Sequence, residues 1–384
     1  MTKLSRQVIF LGFVSLFTDM ASEMLYPVTP LFLSTVLGAS MAVIGLIEGF
    51  AEITAGLLKG YFGFLSDKLR KRSIFVMLGY GVSALAKPLP GLIANTGTVL
   101  FSRVFDRVGK GIRTAPRDAL LASYSNGNTG AVFGFHRAMD TIGAVIGPLL
   151  ALLLLNIFNN NYRLIFLIAF VPSLAAVAIG LLVKDSPANN KDVRKKFSYS
   201  LFWKTAPKKY KSLLFLVVIF SLVNSSDVFL ILKSKDIAQS NTIAILGYVF
   251  YNFVYALSSY PAGIIADKLG KKNVFVIGLT IFSLVYFGFA IFNSFLLVWF
   301  LFAFYGIYAA STEGILKAWV SDIVPDESRG SAIGLLTMMM SIAVMAGSFL
   351  AGVLWDSFGS SVPFYTSAIV SLIVAAAMML YVKE

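Results

Sequence analysis

Ionisable side chains lie inside long apolar stretches of this sequence, at spacings that put them on shared helix faces. Asp19 and Glu23 are four residues apart in the first stretch, so on a helix they occupy one face. Asp19 follows the start of that stretch by about eleven residues, which corresponds to ~17 Å along a helix axis. A carboxylate at that depth can bind and release a proton, and its cost in an apolar environment makes it a candidate for function.

A basic stripe lies in the fourth apolar stretch. Arg103, Arg107 and Lys110 follow one another at helical spacing, and Asp106 lies beside them. The stripe favours binding of an anionic or polycarboxylate group, or of a metal chelate. The alternative is that these charges form buried ion pairs that fix helix packing, since opposite charges are well matched between the first, fourth and fifth stretches.

Most of the chain is predicted to lie in hydrocarbon. Of its 384 residues 58% are hydrophobic and 13% charged, against about 25% charged in soluble domains. A membrane-spanning helix needs about 20 mostly apolar residues. The sequence predicts twelve such helices, at 8–36, 41–65, 73–94, 97–122, 129–157, 162–183, 212–236, 241–266, 273–293, 295–322, 328–356 and 360–382.

The distribution of lysine and arginine orients these helices. Basic residues cluster before the first helix, between helices 2 and 3, between helices 8 and 9, and in the long segment 184–211. Positive loops stay on the cytoplasmic side, so we expect both termini there, in a multi-pass protein of the bacterial inner (plasma) membrane. The expected domains are 1–183, a basic cytoplasmic linker at 184–211, and 212–384.

The second half repeats the first at a constant offset of 200 residues. GFLSDKLRKR from Gly63 aligns with GIIADKLGKK from Gly263, and Gly147 aligns with Gly347. The match extends over about 85 positions. Parallel internal repeats of this kind are one architecture of alternating-access transporters.

The repeated segment carries a recognisable motif. The run from Gly263 to Lys272 resembles the G-x-x-x-D-(R/K)-x-G-(R/K)-(R/K) signature of the major facilitator superfamily. The copy from Gly63 keeps the acidic and basic positions but has Arg70 where glycine is usual. The segment Gly143-x-x-x-Gly147-Pro148 resembles a glycine motif in helix 5 of that superfamily.

This resemblance implies an all-α membrane protein, with twelve transmembrane helices in two homologous six-helix bundles around a central cavity. It also implies secondary transport of a small solute by alternating access. Helices 1, 4, 7 and 10 would line the cavity, with helices 2, 5, 8 and 11 beside them.

The candidate substrate-binding or coupling residues are Asp19, Glu23, Tyr26, Arg103, Asp106, Arg107, Lys110, Arg137, Asp140, Asp227, Asn252 and Glu313. The candidate gating residues are Asp67, Lys68, Arg113, Arg117, Asp267 and Lys268.

Several function classes are disfavoured. The chain has no cysteine and a single histidine, His136, so thiolate and multi-imidazole metal sites are excluded. It has no Walker loop, nucleophile elbow or zinc motif, so we expect neither an enzyme nor an ATP-driven pump, no cofactor, and no nucleic-acid partner despite the net charge of +13.

The expected protein is a monomer in the lipid bilayer that uses protons as its coupling ion. The alternatives are an exporter of amphipathic compounds or lipid flippase, a metal-ion transporter, and a non-transporting membrane sensor.

The topology is directly testable. Reporter fusions after residues 40, 71, 200 and 240 should report outside, inside, inside and outside, because lysine and arginine are retained on the cytoplasmic side. A reversed pattern, or termini on opposite sides, contradicts this topology.

Overall fold

The computed structural model describes residues 5–69, 71–124, 129–185, 199–325 and 328–382, and the regular elements in these ranges are helices. The first nine are α1 (Arg6–Leu25), α2 (Val28–Leu31) followed by a π-helical turn (Phe32–Val36), α3 (Met41–Leu69), α4 (Arg72–Ala86), α5 (Leu89–Leu92), α6 (Thr96–Ser123), α7 (Thr129–Ile157), α8 (Tyr162–Ile168) and α9 (Phe170–Gly180). The others are α10 (Tyr199–Thr205), α11 (Lys208–Ser221), α12 (Val228–Ala238), α13 (Asn241–Leu269), α14 (Lys271–Ile291), α15 (Phe295–Ile323), α16 (Arg329–Phe358) and α17 (Val362–Tyr381).

Within these described ranges, ten helical segments are long and apolar enough to cross a membrane. They correspond to ten of the twelve predicted spans. The fourth span is the continuous helix α6, whose charge density takes it below the hydropathy expected of a membrane helix. The seventh, predicted as one helix over 212–236, is two helices, α11 and α12, separated by residues 222–227. That segment contains Asn, two Ser and Asp, whose short polar side chains compete with the helix for backbone hydrogen bonds.

The chain forms two compact units. One comprises residues 1–39 and 50–192, and the other 40–49 and 193–384. The long helix α3 therefore contributes its first turns to the second unit and its remainder to the first. The division into 1–183, 184–211 and 212–384 stays a prediction; α10 and the start of α11 lie inside the segment expected to be a linker.

The start of α3 is fixed by a carboxylate. Asp356, near the end of α16, accepts hydrogen bonds from the backbone N–H groups of Met41 (2.9 Å) and Ala42 (2.7 Å). First-turn N–H groups have no partner within their own helix and favour a negative charge. The two helices approach closely, because a Cβ on Gly45 would lie 2.1 Å from the Ser348 carbonyl oxygen. Only glycine permits that contact.

In the first unit, glycines bring α1 and α7 together. A Cβ on Gly143 would lie 2.5 Å from the Leu16 carbonyl oxygen, and one on Gly147 would lie 2.5 Å from that of Met20. The same positions are within 3.2 Å of the Asp19 Cβ and 3.1 Å of the Glu23 Cβ, respectively. The glycine motif of α7 therefore brings the Cβ atoms of both acidic residues of α1 close to α7.

Candidate functional site

A cleft in the first unit brings several candidate residues together. The space it encloses is about 20 Å³, enough for an ordered water molecule. Side chains from α1, α6 and the short helices α2, α5 and α8 surround it, with Lys87 from the end of α4. Its lining is Ser22, Leu25, Thr29, Lys87, Pro90, Val99, Ser102, Arg103, Asp106 and Phe166.

An ion pair forms the floor of this cleft. Lys87 Nζ lies 2.6 Å from Asp106 Oδ1, and the two side chains are 3% and 11% exposed. Helices α4 and α6 meet tightly here, because the Ser83 hydroxyl donates to the Asp106 carbonyl at 3.0 Å and a Cβ on Gly109 would lie 2.4 Å from that hydroxyl oxygen. Asp106 is thus both a cleft residue and a helix-packing residue.

Lys87 was not among the residues predicted from sequence. The signal was available, because Lys87 is a charged residue inside the span predicted at 73–94. An ionisable residue within a transmembrane segment is a functional candidate by default.

The basic stripe on α6 continues from the cleft. The Arg103 guanidinium is buried and lies 5.5 Å from the centre of the Tyr26 ring, a distance at which cation and ring attract. Among the described residues, no hydrogen-bond acceptor contacts the buried Arg107 Nε. Lys110, one turn further, is within electrostatic reach of Asp19 and Glu52. Sequence-predicted residues from α1 and α6 therefore meet in one unit.

A second carboxylate, Asp140 on α7, completes this charged region. The Ser15 hydroxyl donates to Asp140 Oδ1, and His136 Nδ1 lies 3.4 Å from Asp140 Oδ2. Asp19 is within electrostatic reach of Asp140, and of Lys110 and two arginines of α6. Carboxylates from α1 and α7 thus face basic groups of α6, as charge matching in the sequence indicates.

The two arginines predicted to act in gating are tied into the packing of α4 and α6. Arg113 is buried, donates to the Ser83 hydroxyl at 2.7 Å, and has its guanidinium 4.6 Å from the centre of the Tyr80 ring. Arg117 pairs with Asp118 at 2.9 Å. Their gating role stays a prediction.

The second unit has a different kind of site. Asp227 immediately precedes α12 and accepts hydrogen bonds from the hydroxyls of Tyr305 (2.6 Å) and Tyr251 (3.2 Å). Nearby, the Tyr255 hydroxyl donates to Glu313 at 2.8 Å. Tyr305 was not predicted, because aromatic residues are abundant in these helices and its spacing alone does not distinguish it from packing residues.

Other predicted residues lie apart from these groups. The Asn252 amide donates to the Tyr248 carbonyl of its own helix at 2.9 Å. Arg137, Asp267 and Lys268 are exposed, and the side chains of Asp67 and Lys68 lie outside the described ones. In the described ranges, no three histidine or acidic side chains group so as to hold a metal ion.

The family model and the sequence relatives that match this chain agree with one another. The family model described as "Major Facilitator Superfamily" matches residues 11–234 and 214–384. An uncharacterized MFS-type transporter of Methanocaldococcus jannaschii is 39% identical over 362 residues, which cover 92% of this chain and 89% of that one. Multidrug resistance protein 2 of Bacillus subtilis is 29% identical over 145 residues, covering 36% and 35%.

Solved structures share the fold at low sequence identity. The nucleoside transporter NupG superimposes with a TM-score of 0.83 at 15% identity, covering 99% of this chain and 100% of that one. A bacterial homologue of the human lysosomal transporter Spinster gives 0.78 at 16% identity, covering 97% and 95%. At these identities the likeness establishes the fold alone.

We expect the ion pair between Lys87 and Asp106 to contribute measurably to the free energy of unfolding. Lys87→Met should lower the free energy of unfolding by roughly 3–5 kcal/mol, because it leaves a buried carboxylate without its nearest cation. Adding Asp106→Asn should recover most of that loss. Thermal unfolding of the purified variants measures both effects. Equal destabilisation by the single and double changes would contradict a mutual pair.

Proposed function

This chain belongs to the major facilitator superfamily, and we propose that it moves a small solute with an anionic group, such as a carboxylate or phosphate, in exchange with or together with protons. As a family member it is a multi-pass membrane transporter rather than an enzyme. We propose further that it resides in the plasma membrane with both termini cytoplasmic, as the lysine and arginine distribution favours.

The buried Nε–H group of Arg107 supports this class of solute. The Arg107 Nε–H is buried and meets no acceptor among the described residues, although such donors are nearly always satisfied in folded proteins. Arg107 is not itself a lining residue, but Arg103, four residues earlier in the same stripe, lines the cleft. An anionic oxygen would supply the missing acceptor, and charge-assisted bonds from guanidinium groups to carboxylate or phosphate are the stronger kind.

The cleft also selects by its neutral groups. Ser22, Thr29 and Ser102 bring hydroxyls to a wall otherwise made of Leu25 and Phe166. The lining matches the chemistry of a solute with one anionic end and a compact, partly polar body, although the cleft encloses only about 20 Å³ and must open further to admit it. A large apolar compound would leave the Lys87 and Asp106 charges covered by hydrocarbon, which is costly.

Proton coupling would follow from the electrostatic interaction between the carboxylates of α1 and α7 and the basic stripe of α6. Asp19 is within electrostatic reach of Asp140 and of Lys110, and Lys110 is adjacent in the stripe to Arg107. A proton bound by the carboxylates and an anionic solute bound by the stripe both change the same local charge. Each therefore alters the affinity for the other, and this reciprocity is what coupled transport requires.

Removing the unpaired donor tests the solute class. Purified wild-type protein, screened by thermal shift against carboxylates and phosphates and their neutral amide or alcohol analogues, should be stabilised only by the anions. Arg107→Met should weaken that binding about tenfold or more. Lys211→Met, which removes a cation that lies over Trp203 instead, should leave it unchanged.

Two outcomes oppose the proposal. In the thermal-shift screen, stabilisation by neutral or cationic amphipathic compounds, undiminished by Arg107→Met, favours an exporter of amphipathic compounds. In a separate flux assay in proteoliposomes, a solute that binds but is not transported favours a membrane sensor.

The coupling role of Asp19 needs a separate measurement. Asp19→Asn should preserve solute exchange between two equally loaded compartments but abolish the response of net transport to a pH gradient, since exchange needs no net proton movement. Asp322→Asn, at an exposed pair with Lys271, is the matched control. Gradient-driven transport that persists unchanged in Asp19→Asn and in Asp140→Asn excludes both carboxylates as the coupling site.

A further inference from the structure

The break between α11 and α12 is an ordered feature. Helix α11 ends at Ser221 and α12 begins at Val228. The Ser226 N–H donates to the Ser348 hydroxyl of α16 at 3.0 Å, and the Ser367 hydroxyl of α17 donates to the Val223 carbonyl at 2.7 Å. Two neighbouring helices therefore hold residues 222–227 in a non-helical path. Irregular backbone at membrane depth is tolerated where protein surrounds it, and it recurs where transporters bind ions.

Polar side chains are concentrated in and next to this break. Asp227 ends the segment, and its carboxylate is held by Tyr305 and Tyr251. Asn224 lies within the segment, and its Oδ1 is buried without a hydrogen-bond partner among the described residues. The Ser221 hydroxyl, at the end of α11, is 0% exposed and is likewise unpartnered.

A third unpartnered oxygen comes from α14. Tyr286 is 1% exposed, and its hydroxyl is close to Ser225 and Tyr305 and within electrostatic reach of Asp227. Ser225 and Tyr305 are both near enough to interact with this hydroxyl, but among the described residues neither meets it in strict hydrogen-bond geometry. Each such buried oxygen needs a physical explanation, because folded proteins rarely leave polar groups unsatisfied. Ser221 and Asn224 lie within six residues of Asp227 in the chain, and Tyr286 is within electrostatic reach of its carboxylate. A bound cation would be a common explanation for all three oxygens.

We propose that a sodium ion binds at the break between α11 and α12, on Asp227 and Asn224. The oxygens of Ser221 and Tyr286 complete its surroundings. Hard cations take oxygen ligands, including carboxylates, amide carbonyls and water. One carboxylate balances a single positive charge, whereas a divalent ion is commonly held by more acidic groups.

The surrounding rings favour a small ion. The centroids of Tyr251 and Tyr305 are 4.9 Å apart, and those of Phe282 and Tyr286 are 3.9 Å apart. The aromatic side chains thus fill the neighbourhood by packing on one another, which leaves little room for an organic cation. A proton on Asp227 would leave the oxygens of Asn224 and Ser221 unsatisfied. This site lies in the second unit and does not depend on the identity of the solute.

The full-length protein in detergent provides the test. Its unfolding temperature should rise saturably with NaCl, by roughly 2–4 °C at saturation, and should not rise with KCl or choline chloride at equal ionic strength. Asp227→Asn should abolish the sodium-dependent rise and direct ²²Na⁺ binding. Asp236→Asn, at an exposed carboxylate of the same helix α12, should retain both.

Milder variants keep the test decisive if Asp227→Asn does not fold. Tyr286→Phe removes a hydroxyl that makes no hydrogen bond of strict geometry among the described residues, so it should fold normally yet bind sodium several-fold more weakly. Asn224→Ala should behave similarly. Equal stabilisation by all three chlorides, or undiminished sodium binding in these variants, overturns the site. Because binding of the anionic solute is measured in the same samples, loss of the sodium effect with intact solute binding separates this failure from that of the proposed function.

Discussion

The ion pair between Lys87 and Asp106 shows the constraint that governs the first unit. Moving a charge from water into a medium of low polarity costs solvation free energy, and apolar packing does not offset that cost. An opposite charge at short range is needed to offset it. Here the contact is 2.6 Å long and nearly buried. It ties the end of α4 to the middle of α6, and the glycines around it allow the helices to come close enough for the charges to meet.

The second unit satisfies the same constraint with hydroxyl groups. Asp227 receives hydrogen bonds from two tyrosines rather than contact with a lysine, and the rings of those tyrosines add apolar packing around the carboxylate. The sequence repeat therefore does not extend to the chemistry of the two units. Arg113 and Arg117 align with Glu313 and Lys317 at the 200-residue offset, so one of the two positions even reverses its charge. The two halves share the loop and glycine motifs of the repeat but differ in these polar groups.

Patterns that are local in sequence predicted the structure well. Helix α6 was identified at 97–122 and spans 96–123, because charge spacing and flanking polar residues delimit it. The glycine motif in α7 was recognised by its resemblance to a motif of the superfamily, which is contained in one short segment. Features that depend on distant partners were missed. The pairing of Lys87 needs the geometry of two helices, and the break at 222–227 is hidden when hydropathy is averaged over its apolar flanks. The tyrosines around Asp227 come from two separate helices, so no single segment reveals them.

The contact between the first turn of α3 and Asp356 has a consequence for the biosynthesis of the protein. Its backbone N–H groups bind Asp356, which lies 315 residues later than Met41. At about 5–20 residues per second, the ribosome needs roughly 15–60 s to produce that carboxylate after α3 itself has been made. During this interval the start of α3 lacks its native partner, so water, lipid headgroups or a chaperone must satisfy it. Completion of the second unit thus depends on a segment that enters the membrane near the beginning of translation, and a nascent chain cannot mature simply by finishing one half before the other.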